Sequence, residues 1–215
     1  MIDALPSAWM PLCGGTWADG GLSFMAMWTP MMTAMMLPAL VPALRRYARV
    51  VPRPGPLRRA RLVALVAAGY WAVWVALGVA VYPVGAALTV ARMRQPWLAH
   101  ALLPATAIAL LLAGLVQCSA WKAHALACCR VACVRGASRA SDAWREGVRL
   151  GLRCVHCCAA LTAALLAWGM MDPRAMVAVT VAITLERWLG PRAARAIGVA
   201  MVAAGMFTIA RRAGA

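Results

Sequence analysis

Uncharged apolar runs alternate with arginine-rich stretches along this chain. No Asp, Glu, Lys or Arg falls between Asp19 and Arg45, between Arg61 and Arg92, or between Arg94 and Lys122. Each run exceeds the roughly 20 residues that carry a helix across a hydrocarbon layer. Without water, backbone N–H and C=O groups must pair within their own segment, which selects helix. The period-two alternation of a barrel strand is missing. The pattern therefore predicts an all-α fold, a polytopic transmembrane helix bundle of about six spans in a single integral membrane domain over residues 1–215. The expected spans are 22–44, 62–84, 98–121, 152–171, 174–189 and 194–210. Trp97 and Trp121 bracket the third as interface aromatics. The fifth and sixth are short. Between them Glu186-Arg187-Trp188-Leu189-Gly190-Pro191 reads as a helix stop followed by a helix start.

The longest connection, 122–151, mixes apolar and basic residues, with Asp142 and Glu146 one helical turn apart. Part of it is expected to be an amphipathic helix at the membrane surface. Asp3 and Pro6, with no basic residues before them, make residues 1–20 a short surface segment rather than a signal peptide.

Composition sharpens the class. Hydrophobic residues make up 64% of the chain and the mean hydropathy is +0.76, whereas soluble domains are usually about 45–50% apolar. The net charge of +16 would suit nucleic acid, but its distribution does not. The basic residues are all Arg except Lys122, and they cluster between apolar runs. That is the pattern of positive loops beside membrane spans and anionic head groups. Of the 22 basic residues, 17 fall in the first, third and fifth connections and five on the other side. The positive side is expected to be cytoplasmic, with both termini outside. The partner is then the lipid bilayer, with no role for nucleic acid.

Three clusters carry candidate chemistry. Span one holds Met25, Met27, Met31, Met32, Met35 and Met36. Met31/Met35 and Met32/Met36 share helical faces, and thioether sulfur suits Cu(I). Thr29-Pro30 and Pro38 are expected to loosen the helix there. Packing as flexible apolar filler accounts for methionine equally simply. The second cluster is His124, Cys128, Cys129 and Cys133, in which 124/128 and 129/133 are one turn apart and able to close on a metal. The third is Cys154, Cys157 and Cys158, on one face at the start of span four. His156 points elsewhere. Ordinary burial of small apolar thiols is the competing reading for both. On a reducing cytoplasmic face these thiols stay free. Cys118 is expected in the core. Glu186 is the best intramembrane acid, a functional candidate by default; a surface pair with Arg187 or Arg192 is the simpler alternative. No phosphate loop, zinc-protease or catalytic-triad motif is present, so a hydrolase or nucleotide-driven pump has no support.

Trp28…Met31-Met32-Thr33-Ala34-Met35-Met36-Leu37-Pro38 resembles the Trp-x-x-Met…Ala-Met-Met-x-Pro signature of an uncharacterised bacterial family of predicted metal-binding integral membrane proteins. Gly69-Tyr70…Trp74 is similar to its second span. Lys122…Leu126…Cys129-Arg130 resembles its Lys-x-x-Cys-Leu-x-x-Cys-Arg motif. Gly151…Cys154-Val155-His156-Cys157-Cys158 resembles its Gly-x-x-Cys-x-Gly-Cys-Cys-Trp motif. Gly169…Met171 and Glu186-Arg187 resemble its closing Gly-x-Met and Glu-Lys positions. Ala125, His156 and Ala159 stand where the family has Cys, Gly and Trp.

The resemblance implies a membrane protein that binds or moves a soft metal, Cu or Zn. Its site would be Cys129, Cys154, Cys157 and Cys158, with Cys128 and His124 nearby and Met31, Met32, Met35 and Met36 as a thioether path. Two other classes fit the sequence: a non-catalytic subunit of a membrane protein complex, and a thiol-redox membrane protein.

Overall fold

The computed structural model describes residues 17–51, 55–95, 105–130, 139–168 and 172–213. Among these the secondary structure is seven helices and no strand: α1 Trp17–Val50, α2 Pro56–Arg94, α3 Ala105–Cys118, α4 Ala120–Arg130, α5 Ala140–Trp168, α6 Pro173–Leu189 and α7 Pro191–Ala213. The fold is all-α, as the uncharged runs predict. By length and composition α1, α2, α5 and α7 can cross a membrane, and the bent pair α3 and α4 makes a fifth candidate. The fifth expected span, α6, has only 17 residues, short of the roughly 20 a perpendicular crossing needs.

Helix boundaries differ from the sequence expectation in three places. Pro30, Pro38 and Pro42 all lie inside α1, which continues past Arg45-Arg46 to Val50. Each proline removes one backbone donor, but all three are exposed, and Met31, Met32, Met35, Met36, Ala39 and Leu40 keep the helix packed in the core. The expected third span is broken. Ser119 turns the chain by 66° between α3 and α4, its hydroxyl donating to the Val116 carbonyl at 2.6 Å and accepting from the Lys122 N–H at 3.2 Å. Finally, Asp142 and Glu146 belong to the first turns of α5 itself, which runs unbroken into the apolar segment. They are not on a separate surface helix.

The expected stop and start between α6 and α7 is present. Gly190 adopts φ 81°, the left-handed region that favours glycine, and its N–H returns to the Glu186 carbonyl at 2.9 Å. Pro191 then opens α7. At the other end of α6, Asp172 caps the helix by accepting from the Arg174 N–H at 2.9 Å.

Two close helix crossings organise the bundle. In the first, α2 packs along α5. A β-carbon added at Gly69 would stand 2.5 Å from the Trp144 carbonyl oxygen, and one at Gly147 would collide with the Val66 backbone. In the second, α3 packs along α7, where a β-carbon at Gly114 would lie 2.7 Å from the Gly198 carbonyl. Small residues let helix backbones approach where both sides are apolar. A continuous core then joins α1, α2 and α5, with Phe24, Trp28, Tyr70, Trp74, Leu161 and Leu165 buried in it. Trp28 donates its indole N–H to the Trp74 carbonyl at 3.0 Å and stacks on Phe24 at 5.6 Å between ring centroids. This anchors α1 against α2 and fixes the rotation of the methionine-bearing face.

Candidate functional site

Cys154, Cys157 and Cys158 lie on the inward face of α5, each 2% exposed. That face continues through Gly147, Leu150, Gly151, Leu161 and Leu165, so the i, i+3, i+4 spacing of the thiols follows the packing stripe of the helix. Cys154 Sγ stands 4.0 Å from Cys158 Sγ and 3.8 Å from Met36 Sδ. Cys157 lies beside Cys158 on the same face, with Cys129 on α4 as a neighbour. A line of five sulfurs results: Met36, Cys154, Cys158, Cys157 and Cys129. Helices α1, α4 and α5 supply them.

Cys154 is the best-supported member. Tyr70 Oη on α2 donates to its sulfur at 3.0 Å, and Arg187 Nη2 on α6 donates at 3.0 Å. Both bonds strengthen when the sulfur carries the negative charge of a metal-bound thiolate. Two sulfurs 4.0 Å apart leave room for an ion held at about 2.3 Å from each, the length a thiolate makes to zinc. A thioether at 3.8 Å from one of them completes a wholly soft donor set, the kind that selects Cu(I). Among the described residues no three Cys, His, Asp or Glu side chains form a metal-holding group. The arrangement is therefore a pair of thiols with a thioether.

Beside the thiols lies a buried polar triad. Lys122 Nζ on α4 pairs with Glu186 Oε2 on α6 at 2.8 Å and donates to the Cys157 carbonyl at 2.6 Å. Gln117 on α3 donates to the other Glu186 oxygen. The surface pair expected for Glu186 with Arg187 or Arg192 does not form. Its partner is Lys122, which in the sequence stands among the loop arginines. The bend at Ser119 turns the start of α4 inward and brings Lys122 with it.

A cavity of about 190 Å³ reaches this site from the arginine-rich end. It is lined by Cys129, Cys154 and Tyr70, by Arg46, Arg153 and Arg187, and by Pro38, Pro42 and Trp188, among others. Cys129 and Cys154 link the cavity to the sulfur line. Arg187 Nε is buried and has no hydrogen-bond partner among the described residues, so this guanidinium holds a spare donor at the cavity.

The expected site residues thus separate into groups. Cys129, Cys154, Cys157, Cys158 and Met36 come together. Met31, Met32 and Met35 are buried in the common core; the thioether that accepts from a thiol is that of Met36. Cys128 and His124 meet each other at 3.5 Å on an exposed face, away from the packed face that carries Cys129. Cys133 lies outside the described residues, as do Gly169 and Met171. His156 is exposed and faces Trp121. Cys118 is exposed rather than in the core, its thiol donating to the Arg195 carbonyl at 3.7 Å. Trp28 serves packing, and Pro38 lines the cavity.

Sequence reading underrated Tyr70, Lys122 and Gln117. One signal was present, since Lys122 is the single lysine in a chain that uses arginine everywhere else.

A family model described as PpoB2, copper chaperone, matches residues 25–208. No curated protein matches the chain, and no solved structure does. The match gives the metal-related family expected from the Met and Cys motifs, and it names copper, lending nothing to zinc. It takes in all five members of the sulfur line, the buried triad and the cavity. The chain belongs to the PpoB2 family of copper chaperones, and its function is copper-related.

Proposed function

We propose that this protein is a membrane-embedded Cu(I) carrier that holds its cargo between Cys154 and Cys158 with the Met36 thioether alongside. The observation that carries this reading is the meeting of three soft sulfurs, 3.8 Å and 4.0 Å apart, inside an apolar bundle. The three converging donors are all sulfur, so the site favours a soft monovalent ion over magnesium or calcium. The adjoining thiols Cys157 and Cys129 extend the line toward the cavity, giving the ion a second position nearer the surface. Copper would enter and leave from the arginine-rich side, taken as cytoplasmic in a bacterial inner membrane.

Membrane embedding is supported by what lies outside the core. Leu112 and Leu115 on α3, Val75 and Val79 on α2, and Val199 and Phe207 on α7 are exposed, a density of apolar surface that suits lipid. Carriage implies a recipient, and a membrane-bound copper protein is the natural one.

The test is metal analysis of the detergent-purified protein after anaerobic loading with Cu(I). Wild type should retain about one Cu per chain, and Cys154→Ser/Cys158→Ser none. Equal copper in both forms would refute the site.

A further inference from the structure

Two buried thiols do not by themselves choose between metals. Thiolates hold zinc as well as Cu(I). The two ions differ in charge, and charge decides much in a buried site, because a net charge kept from water is costly.

The fixed charges beside the thiols are few. Lys122 and Glu186 pair at 2.8 Å and cancel. Arg187 adds one positive charge. Its bonded partner is the Cys154 sulfur, 3.0 Å from Nη2, and its Nε is buried without a hydrogen-bond partner among the described residues. The other described acids are engaged or remote. Glu146 reaches Arg149 at 3.8 Å. Asp172 caps the end of α6 away from Arg187. Asp142 is exposed, about 18 Å of helix before Cys154, and Asp19 opens α1, about 25 Å of helix before Met36. Arg153 lines the cavity but is exposed, where water and salt screen it. With both thiols protonated, the buried site therefore carries one net positive charge, on Arg187.

We infer that Arg187 selects the charge of the cargo, setting the Cys154–Cys158 site for a monovalent ion and against a divalent one; this rests on the Cu(I) reading of that site. Binding releases the two thiol protons to solvent and puts one metal ion in their place, with no change of oxidation state. Cu(I) between two thiolates leaves one negative charge, which Arg187 cancels. Zn(II) between two thiolates is already neutral, so the guanidinium stays uncompensated beside a dication. The bond to Cys154 holds the guanidinium against the sulfur, where charges act more strongly than in water. The division of labour follows: Met36 and the thiols prefer soft ions to hard ones, and Arg187 prefers one charge to two.

The experiment measures two affinities on the full-length protein in detergent under anaerobic conditions: Cu(I) by competition with a Cu(I) chelator, and Zn(II) by competition with a zinc-binding dye. The proteins are wild type, Arg187→Gln and Arg187→Lys. Arg187→Gln should shift the ratio of Cu(I) to Zn(II) affinity toward zinc by about ten- to a hundredfold, because only the Cu(I) complex loses a counter-charge. Arg187→Lys should keep most of the wild-type ratio. An unchanged ratio in Arg187→Gln, whether both affinities fall together or neither moves, would overturn the inference while leaving the thiol site intact. If Arg187→Gln does not fold, wild type carries the test with two soft ions that differ in charge. Compared with dithiothreitol, a dithiol with no fixed cation, it should favour Ag(I) over Cd(II) by about tenfold more. The same preference in protein and dithiothreitol, or a weaker one in the protein, would overturn the inference. Failure of wild type to bind Cu(I) at all would instead refute the reading beneath it.

Discussion

Lys122 and Glu186 meet at 2.8 Å with side chains 1% and 2% exposed, tying α4 to α6 within the bundle. Neither charge has water to fall back on. Losing one partner leaves an uncompensated buried charge, which typically costs about 3–5 kcal/mol, whereas replacing both with apolar groups is often neutral. Lys122→Met and Glu186→Leu should each sharply lower the yield of monodisperse protein and its melting temperature in detergent. The double variant should recover most of that loss. Additive losses would mean that the two residues act separately.

Arg187 should matter more for copper retention than for folding. Its bond to the Cys154 sulfur gains strength when that sulfur is a thiolate. A hydrogen bond to a charged group contributes about 1.5–3 kcal/mol, so Arg187→Gln should weaken Cu(I) affinity by about ten- to a hundredfold. Competition against a Cu(I) chelator reads this directly. Unchanged affinity would show that the guanidinium does not stabilise the bound form.

Met36 and its neighbours should behave differently from one another. Leucine fills nearly the same volume as methionine, and such swaps usually cost less than about 1.5 kcal/mol. Met32→Leu and Met36→Leu should therefore both fold. Only Met36→Leu should remove the longer copper–sulfur contact from the X-ray absorption spectrum of the loaded protein. A spectrum unaltered in both would confine the site to the thiols.

His124 and Cys128 provide a control from the opposite face of α4. Exposed substitutions away from special features usually change stability by no more than about 0.5 kcal/mol. His124→Ala/Cys128→Ser should keep both wild-type melting and full copper stoichiometry. Loss of copper in this variant would move the site outward.

Gly69 and Gly147 test the crossing that carries the thiol helix. Overpacking a tight contact costs about 1–3 kcal/mol, and here the obstacles are backbone atoms of Trp144 and Val66, which cannot rotate away. Gly147→Ala should lower the melting temperature clearly. An alanine in place of exposed Gly55, where a β-carbon meets nothing within 4 Å, should not.

Much of this protein was legible before folding. Uncharged runs longer than a bilayer is thick admit only helices, so the all-α class follows from composition and order alone. The spacing of Cys154, Cys157 and Cys158 put three thiols on one helical face, and Gly190-Pro191 marked the break between α6 and α7, because both depend only on local backbone geometry. Convergence across helices is a different matter. Nothing local says that Met36, and not Met31, Met32 or Met35, meets Cys154; the rotation of α1 against α2, fixed by Trp28 on the Trp74 carbonyl, decides it. Lys122 looked like one more loop cation until the bend at Ser119 turned it toward Glu186. The sequence by itself determined which residues can share a helix face. The tertiary structure decided which faces meet, because helix rotation and crossing are set by contacts between residues far apart in the chain.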